Sequence, residues 1–197
     1  MNPLDQVFLS RLAPYTVVLI GDEYCFRTDF GVDYAVAFNP EPSFGGLPAY
    51  WFDLSNRSGK ASPNDPKVRD TVIRIIIEFF RANPDILLYM CDNANDQQAQ
   101  RNRLFLRWFT GEEQSKHYVI KTAVVEDEGM ENFIAIIVPR IHPYMNEAIA
   151  YFDAEIEMFK SNKPEPPDIP PPTVKYPPRH REMGSAVCFQ RTCSRSA

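Results

Sequence analysis

The spacing of apolar side chains divides the chain into segments of two kinds. Leu4, Val7, Phe8 and Leu12 recur at helical spacing, and Tyr15 to Ile20 is β-branched and strand-like, so a short helix leading into a strand opens the chain. Residues 24–28 and 34–38 alternate as half-buried strands do. The turn between them, Asp29-Phe-Gly-Val-Asp33, places Gly31 where positive φ is wanted, and the three pieces form a hairpin. A further strand, residues 50–54, follows a loop at 40–48 that holds three prolines and two glycines.

Asp65 then stands at a helix N-cap and Pro66 at the first helical position, where no N–H is needed. Val68, Val72, Ile73, Ile75, Ile76, Ile77, Phe79 and Phe80 cover nearly every face, which predicts a helix buried on more than one side. Asn83-Pro84 ends it, since proline disfavours helical geometry in the residue before it. Ile86 to Met90 is an unbroken apolar run, the pattern of a central strand covered on both faces. A second helix is predicted over 96–109, and a second hairpin over 117–125 and 132–138. A third helix opens at Pro143, with Met145, Ala148, Ile149, Phe152, Ile156 and Phe159 on its apolar face.

The pattern stops after residue 162. Eight of the sixteen residues from Lys163 to Pro178 are proline, which excludes ladders and helices, and residues 179–197 carry too little apolar side chain to fold alone. The expectation is one α+β domain over 1–162, with a mixed, mostly antiparallel sheet and three flanking helices, then a disordered proline-rich tail over 163–197. Residues 1–162 carry 15 basic and 23 acidic side chains, the tail 6 and 3. An acidic body repels a polyphosphate backbone, so nucleic acid is not an expected partner. No apolar run reaches the roughly 20 residues of a membrane span, and no signal-peptide pattern opens the chain, so a cytoplasmic protein without a membrane partner is expected.

Few residues carry recognisable chemistry. Cys25, Cys91, Cys188 and Cys193 match no zinc or redox spacing, and His117, His142 and His180 are scattered, so no metal site is expected. No catalytic residue stands out. The strongest candidate for binding is the polar turn after the central strand, with Asp92, Asn93, Arg101 and Arg103. A strand's C-terminal end is a usual ligand position in open sheets, and arginine there can hold a carboxylate or phosphate bidentately. The other reading of the same residues is an amphipathic helix whose arginines meet surface acids. Asn56, Arg57 and Ser58, at the end of the fourth strand, form a second candidate.

The element order from residue 20 to 138 is similar to the acyl-CoA N-acyltransferase fold. That resemblance implies a helix N-terminus, entered through a glycine-rich loop, that binds the cofactor pyrophosphate. The corresponding loop here, residues 54–66, has a single glycine, Gly59. Pro63 and Pro66 remove donors, and Asp65 sets a carboxylate where phosphate would lie, which puts the activity in doubt. The chain also resembles a family of uncharacterised small bacterial proteins found mainly in Bacteroidetes. The residues that carry this likeness are Tyr24-x-Phe26-x-Thr-Asp-x-Gly31, Phe52-x-Leu-Ser-Asn56, Leu88-Tyr-x-Cys-Asp92 and Arg101-Asn-Arg-Leu-Phe-x-Arg-Trp-Phe109. It implies a lineage and no mechanism. Two function classes follow. One is a non-enzymatic binding or interaction module without a cofactor, taking a protein or a small anionic ligand. The other is an acyl-CoA-dependent acyltransferase-like enzyme with a degenerate pyrophosphate loop.

Overall fold

A computed structural model describes residues 1–61, 63–91, 116–127 and 130–161. The predicted helix 96–109 and the tail 163–197 lie outside them. Seven strands form one mixed sheet in the order β1-β2-β3-β4-β5-β7-β6. They are β1 Val18–Ile20, β2 Glu23–Arg27, β3 Asp33–Glu41, β4 Ala49–Asn56, β5 Ile86–Cys91, β6 Tyr118–Asp127 and β7 Met130–Pro139. Every neighbouring pair is antiparallel except β4 and β5. A parallel pair needs a long crossover, and the helix between these strands supplies it.

Among the described residues three helices pack on this sheet: α1 Gln6–Leu12, α2 Pro66–Ala82 and α3 Met145–Lys160. Alternation along the strands sorts the core into two layers. Tyr24, Phe26, Val36, Phe38, Phe52 and Leu87 meet α1 and α2 on one face. Ile86, Leu88, Ile136 and Val138 meet Ala148, Phe152 and Ile156 of α3 on the other. β5 therefore feeds both layers, as its unbroken apolar run predicts. Phe79 of α2 is the centre of the first layer. It stacks on Phe38 at 4.4 Å between ring centroids and meets Tyr50 and Phe80 edge-on at 5.5 and 5.4 Å. Each such pair contributes about 1 kcal/mol beyond area burial.

The N-terminus is strapped to the end of α2. Asn2 and Asn83 exchange hydrogen bonds at 2.6 and 3.0 Å, and Leu4 N donates to Tyr24 Oη at 3.0 Å. Three details depart from the sequence pattern. β3 runs on through Pro40 to Glu41, where a loop was expected. Beyond Val36 it pairs only with β4, and a strand with an open side tolerates a missing donor. Both strands of the second hairpin are longer than expected, at ten residues each. Phe159, expected on the apolar face of α3, is 54% exposed. Among the described residues no helix is long and apolar enough to cross a membrane.

Candidate functional site

At the start of α2 the backbone donors are taken up by the chain itself. Asp65 caps the helix, its Oδ1 accepting from Lys67 N at 3.0 Å, while its carbonyl accepts from Val68 N at 3.1 Å. Pro66 has no N–H to offer. The other carboxylate oxygen, Oδ2, accepts from the Tyr15 hydroxyl at 2.6 Å. Behind this cap Lys67 Nζ pairs with Asp29 Oδ2 at 2.6 Å and lies 5.5 Å from the centre of the Tyr15 ring. Burial, then the hydrogen bond to Asp65, raises the Tyr15 pKa. The hydrogen bond from Lys67 lowers that of Asp29, and the same bond raises that of Lys67. The donors of the first helical turn are thus taken from within the chain, and a negative charge guards the entrance.

The second feature is a parting of strands. The β4–β5 ladder covers Ala49 to Phe52 against Ile86 to Tyr89. Beyond it β4 stays with β3 as far as Asn56, while β5 stays with β7 through Met90 and Cys91. The ladder between the two central strands thus ends before either strand does, and this gap in pairing is flanked by Asp53, exposed, on β4 and Met90, 50% exposed, on β5.

Of the residues singled out by sequence, Asn56 ends β4 and knots the loop behind it. Its Oδ1 accepts from Ser58 N at 3.1 Å and from the Ser58 hydroxyl at 2.9 Å, and its Nδ2 donates to Lys60 O at 2.8 Å. Arg57 turns the other way. Its backbone N donates to Asp33 O at 2.8 Å, and its guanidinium pairs with Glu23 on β2, across β3 from the gap. Lys60 Nζ then donates to Gly31 O at 3.0 Å, so this loop is laced to the β2–β3 turn. Asp92, Asn93, Arg101 and Arg103 lie outside the described residues, and Asp92 is the next residue after β5. Sequence reasoning found Asp65 but missed Tyr15 and Glu23 as partners, since a hydroxyl 50 residues away and a carboxylate 34 away leave no local signal. Cys25, half-buried, has a thiol pKa raised first by burial, in keeping with an inert thiol. Among the described residues no group of three His, Cys, Asp or Glu side chains is placed to hold a metal ion.

These residues define an α+β protein on a seven-stranded mixed sheet, with helices on both faces and a pairing of its parallel central strands that stops short of their C-terminal ends. Residues 64–154 match DUF6169, a family of unknown function. The matched span begins just before the cap of α2 and ends within α3, so the motifs at 24–31 and 52–56 lie outside it. Neither a curated protein nor a solved structure matches the chain.

Proposed function

We propose that this chain is a non-enzymatic binding or interaction module of the bacterial cytoplasm, meeting a partner protein or a small anionic ligand where β4 and β5 part. The observation that carries the reading is the contrast between the two ends of the crossover. The central strands separate after Phe52 and Tyr89, which leaves room for contact, while the cap at Asp65 and Pro66 takes up the donors that a pyrophosphate would need. Asp92, Asn93, Arg101 and Arg103 follow β5 in the chain and are the residues of choice for contact there. Asn56 and Ser58 shape the opposite rim.

A second reading is favoured by one specific observation. The strand order, with a single parallel pair that separates at its C-terminal end, is similar to the acyl-CoA N-acyltransferase topology. Thermal shift with coenzyme A and acetyl-CoA decides between the two. The module predicts an unchanged Tm. A rise of several degrees at ligand concentrations about 100-fold above Kd, worth about 2.7 kcal/mol, supports the enzyme and overturns the module. Recovery of a defined companion from lysate, lost on Asp53→Lys or Met90→Lys at unchanged circular dichroism, supports contact at the gap.

A further inference from the structure

The two ends of the sheet are finished differently. β1, at one end, is three residues long, and α1 takes up its outward backbone. Gln6 Oε1 accepts from Leu19 N at 3.2 Å, and the Ser10 hydroxyl donates to Val17 O at 3.5 Å. β6, at the other end, is ten residues long and pairs with β7 in one continuous register, without a bulge. Just before the strand, and in the same register, His117 O accepts from Arg140 N at 2.8 Å. In an antiparallel strand the N–H and C=O of one residue point to the same side. Odd-numbered residues of β6 therefore face β7, and the backbones of Tyr118, Ile120, Thr122 and Val124 face outward. Among the described residues no hydrogen bond reaches the outward groups of these four.

Side chains do not guard this edge either. Natural edges are commonly blunted by proline, bulges or charge. From Tyr118 to Val125 there is no proline and one charged residue, Lys121, whose ammonium pairs with Asp153 of α3. The even-numbered side chains lie on the face of the first core layer. Tyr118 meets Phe80 at 4.7 Å between ring centroids, and Ile120 packs against that layer. Further along, Thr122 is exposed and Val124 is 43% exposed. Open donors and acceptors on a long β-branched strand are a template for one more strand.

β6 is complementary to its own copy. Its outward positions run evenly from 118 to 126, and an antiparallel two-fold centred on Thr122 is the one arrangement that pairs them all. It sets Thr122 against Thr122 of the partner subunit, and Ile120 against Val124 of the partner subunit on both sides of the axis. Thr–Thr pairs are favourable across strands, and the Ile–Val contacts cover apolar surface that a single copy leaves exposed. Lys121 adds no repulsion, because Asp153 of the same copy balances it. Each outward N–H then meets a C=O, and the first core layer continues across the axis.

We propose that β6 is the interface of a homodimer, joined edge to edge with β6 of a second copy into one continuous sheet. This edge is separate from the parting of β4 and β5, and the proposal stands or falls independently of the function given above. Analytical ultracentrifugation of the full chain tests it. The expected mass at about 100 µM, a concentration suited to a micromolar Kd, is twice 22.7 kDa. Thr122→Pro removes an N–H that faces away from β7, so it gives a monomer with unchanged circular dichroism. Thr122→Cys cross-links to its own copy under mild oxidation, beyond any cross-linking through the four native cysteines. Residues directly opposite in a hydrogen-bonded pair stand about 5.5 Å apart between Cα atoms, within disulfide reach. A monomeric wild type at that concentration, a dimeric Thr122→Pro, or a Thr122→Cys chain no more cross-linked than wild type overturns the proposal. If the wild type is monomeric and the proline abolishes recovery of a companion from lysate, the edge takes a strand of another protein instead.

Discussion

Tyr15 donates its hydroxyl to Asp65 Oδ2 at 2.6 Å, which ties the segment entering β1 to the first residue before α2. The same carboxylate caps the helix through Lys67 N. Asp65→Ala should therefore cost about 2 kcal/mol in urea denaturation, combining a lost N-cap with an orphaned hydroxyl. Tyr15→Phe should cost about 1 kcal/mol. A double-mutant cycle should show coupling of at least about 0.5 kcal/mol, and additive losses would mean that the contact contributes nothing.

Glu78 is wholly buried on α2. Both Arg81 Nε and Arg81 Nη2 donate to it at 2.6 Å, and Asp5 N donates to its Oε1 at 2.9 Å. Glu78→Ala removes the acceptor of three donors and should cost about 1.5–3 kcal/mol, the range for hydrogen bonds to a charged group. Glu78→Gln keeps an oxygen for Asp5 N and should cost less. Chemical denaturation ranks the two, and equal losses would show that the charge is irrelevant to the N-terminal strap.

Much of this architecture is legible in the chain itself. Asp65-Pro66 and Asn83-Pro84 bracket α2 to the residue, because cap and proline effects are local. The unbroken apolar run from Ile86 marks, for an equally local reason, a strand covered on both faces through Leu88, although Met90 at its end is exposed. What escapes is tertiary. The burial of Glu78 depends on Arg81 and on the backbone of a segment 73 residues earlier. Arg57 looks like a ligand-facing arginine until β2 brings Glu23 to it. The three exposed residues of β1 read as an ordinary apolar strand, since nothing in their order says that the sheet ends there. The first candidate site falls on residues outside those the structure describes, and its reading rests on sequence.

His142 contributes to the acid side of the stability profile. It is buried at the start of α3, with Nδ1 accepting from Tyr144 N at 3.2 Å. Burial lowers its pKa below 6.5, against smaller opposing effects from Asp85 and Glu147. The unfolded chain then binds the proton more tightly, so this contribution is intact above pH 6.5 and is lost as pH falls through the folded pKa. Tm should decline from about pH 6.5 downward. His142→Asn, which can keep an acceptor for Tyr144 N, should flatten that decline, and an unchanged slope would assign it to other groups.

Gly45 and Gly46 adjoin in the loop between β3 and β4, and both have positive φ, 55° and 72°. They differ in their surroundings. A Cβ on Gly45 would lie 2.9 Å from Tyr151 Cδ2, whereas one on Gly46 would meet nothing within 4 Å. The Tyr151 ring is held in place, edge-on to Phe44 at 4.9 Å and donating to Ser43 O at 3.1 Å, so it cannot retreat without breaking the contact between this loop and α3. Gly46→Ala should cost about 1–2 kcal/mol, the backbone penalty alone. Gly45→Ala should cost a further 1–3 kcal/mol, roughly the range for overpacking. In a Tyr151→Ala background the two costs should converge. If denaturation midpoints keep them apart there, the difference comes from the backbone and not from the ring.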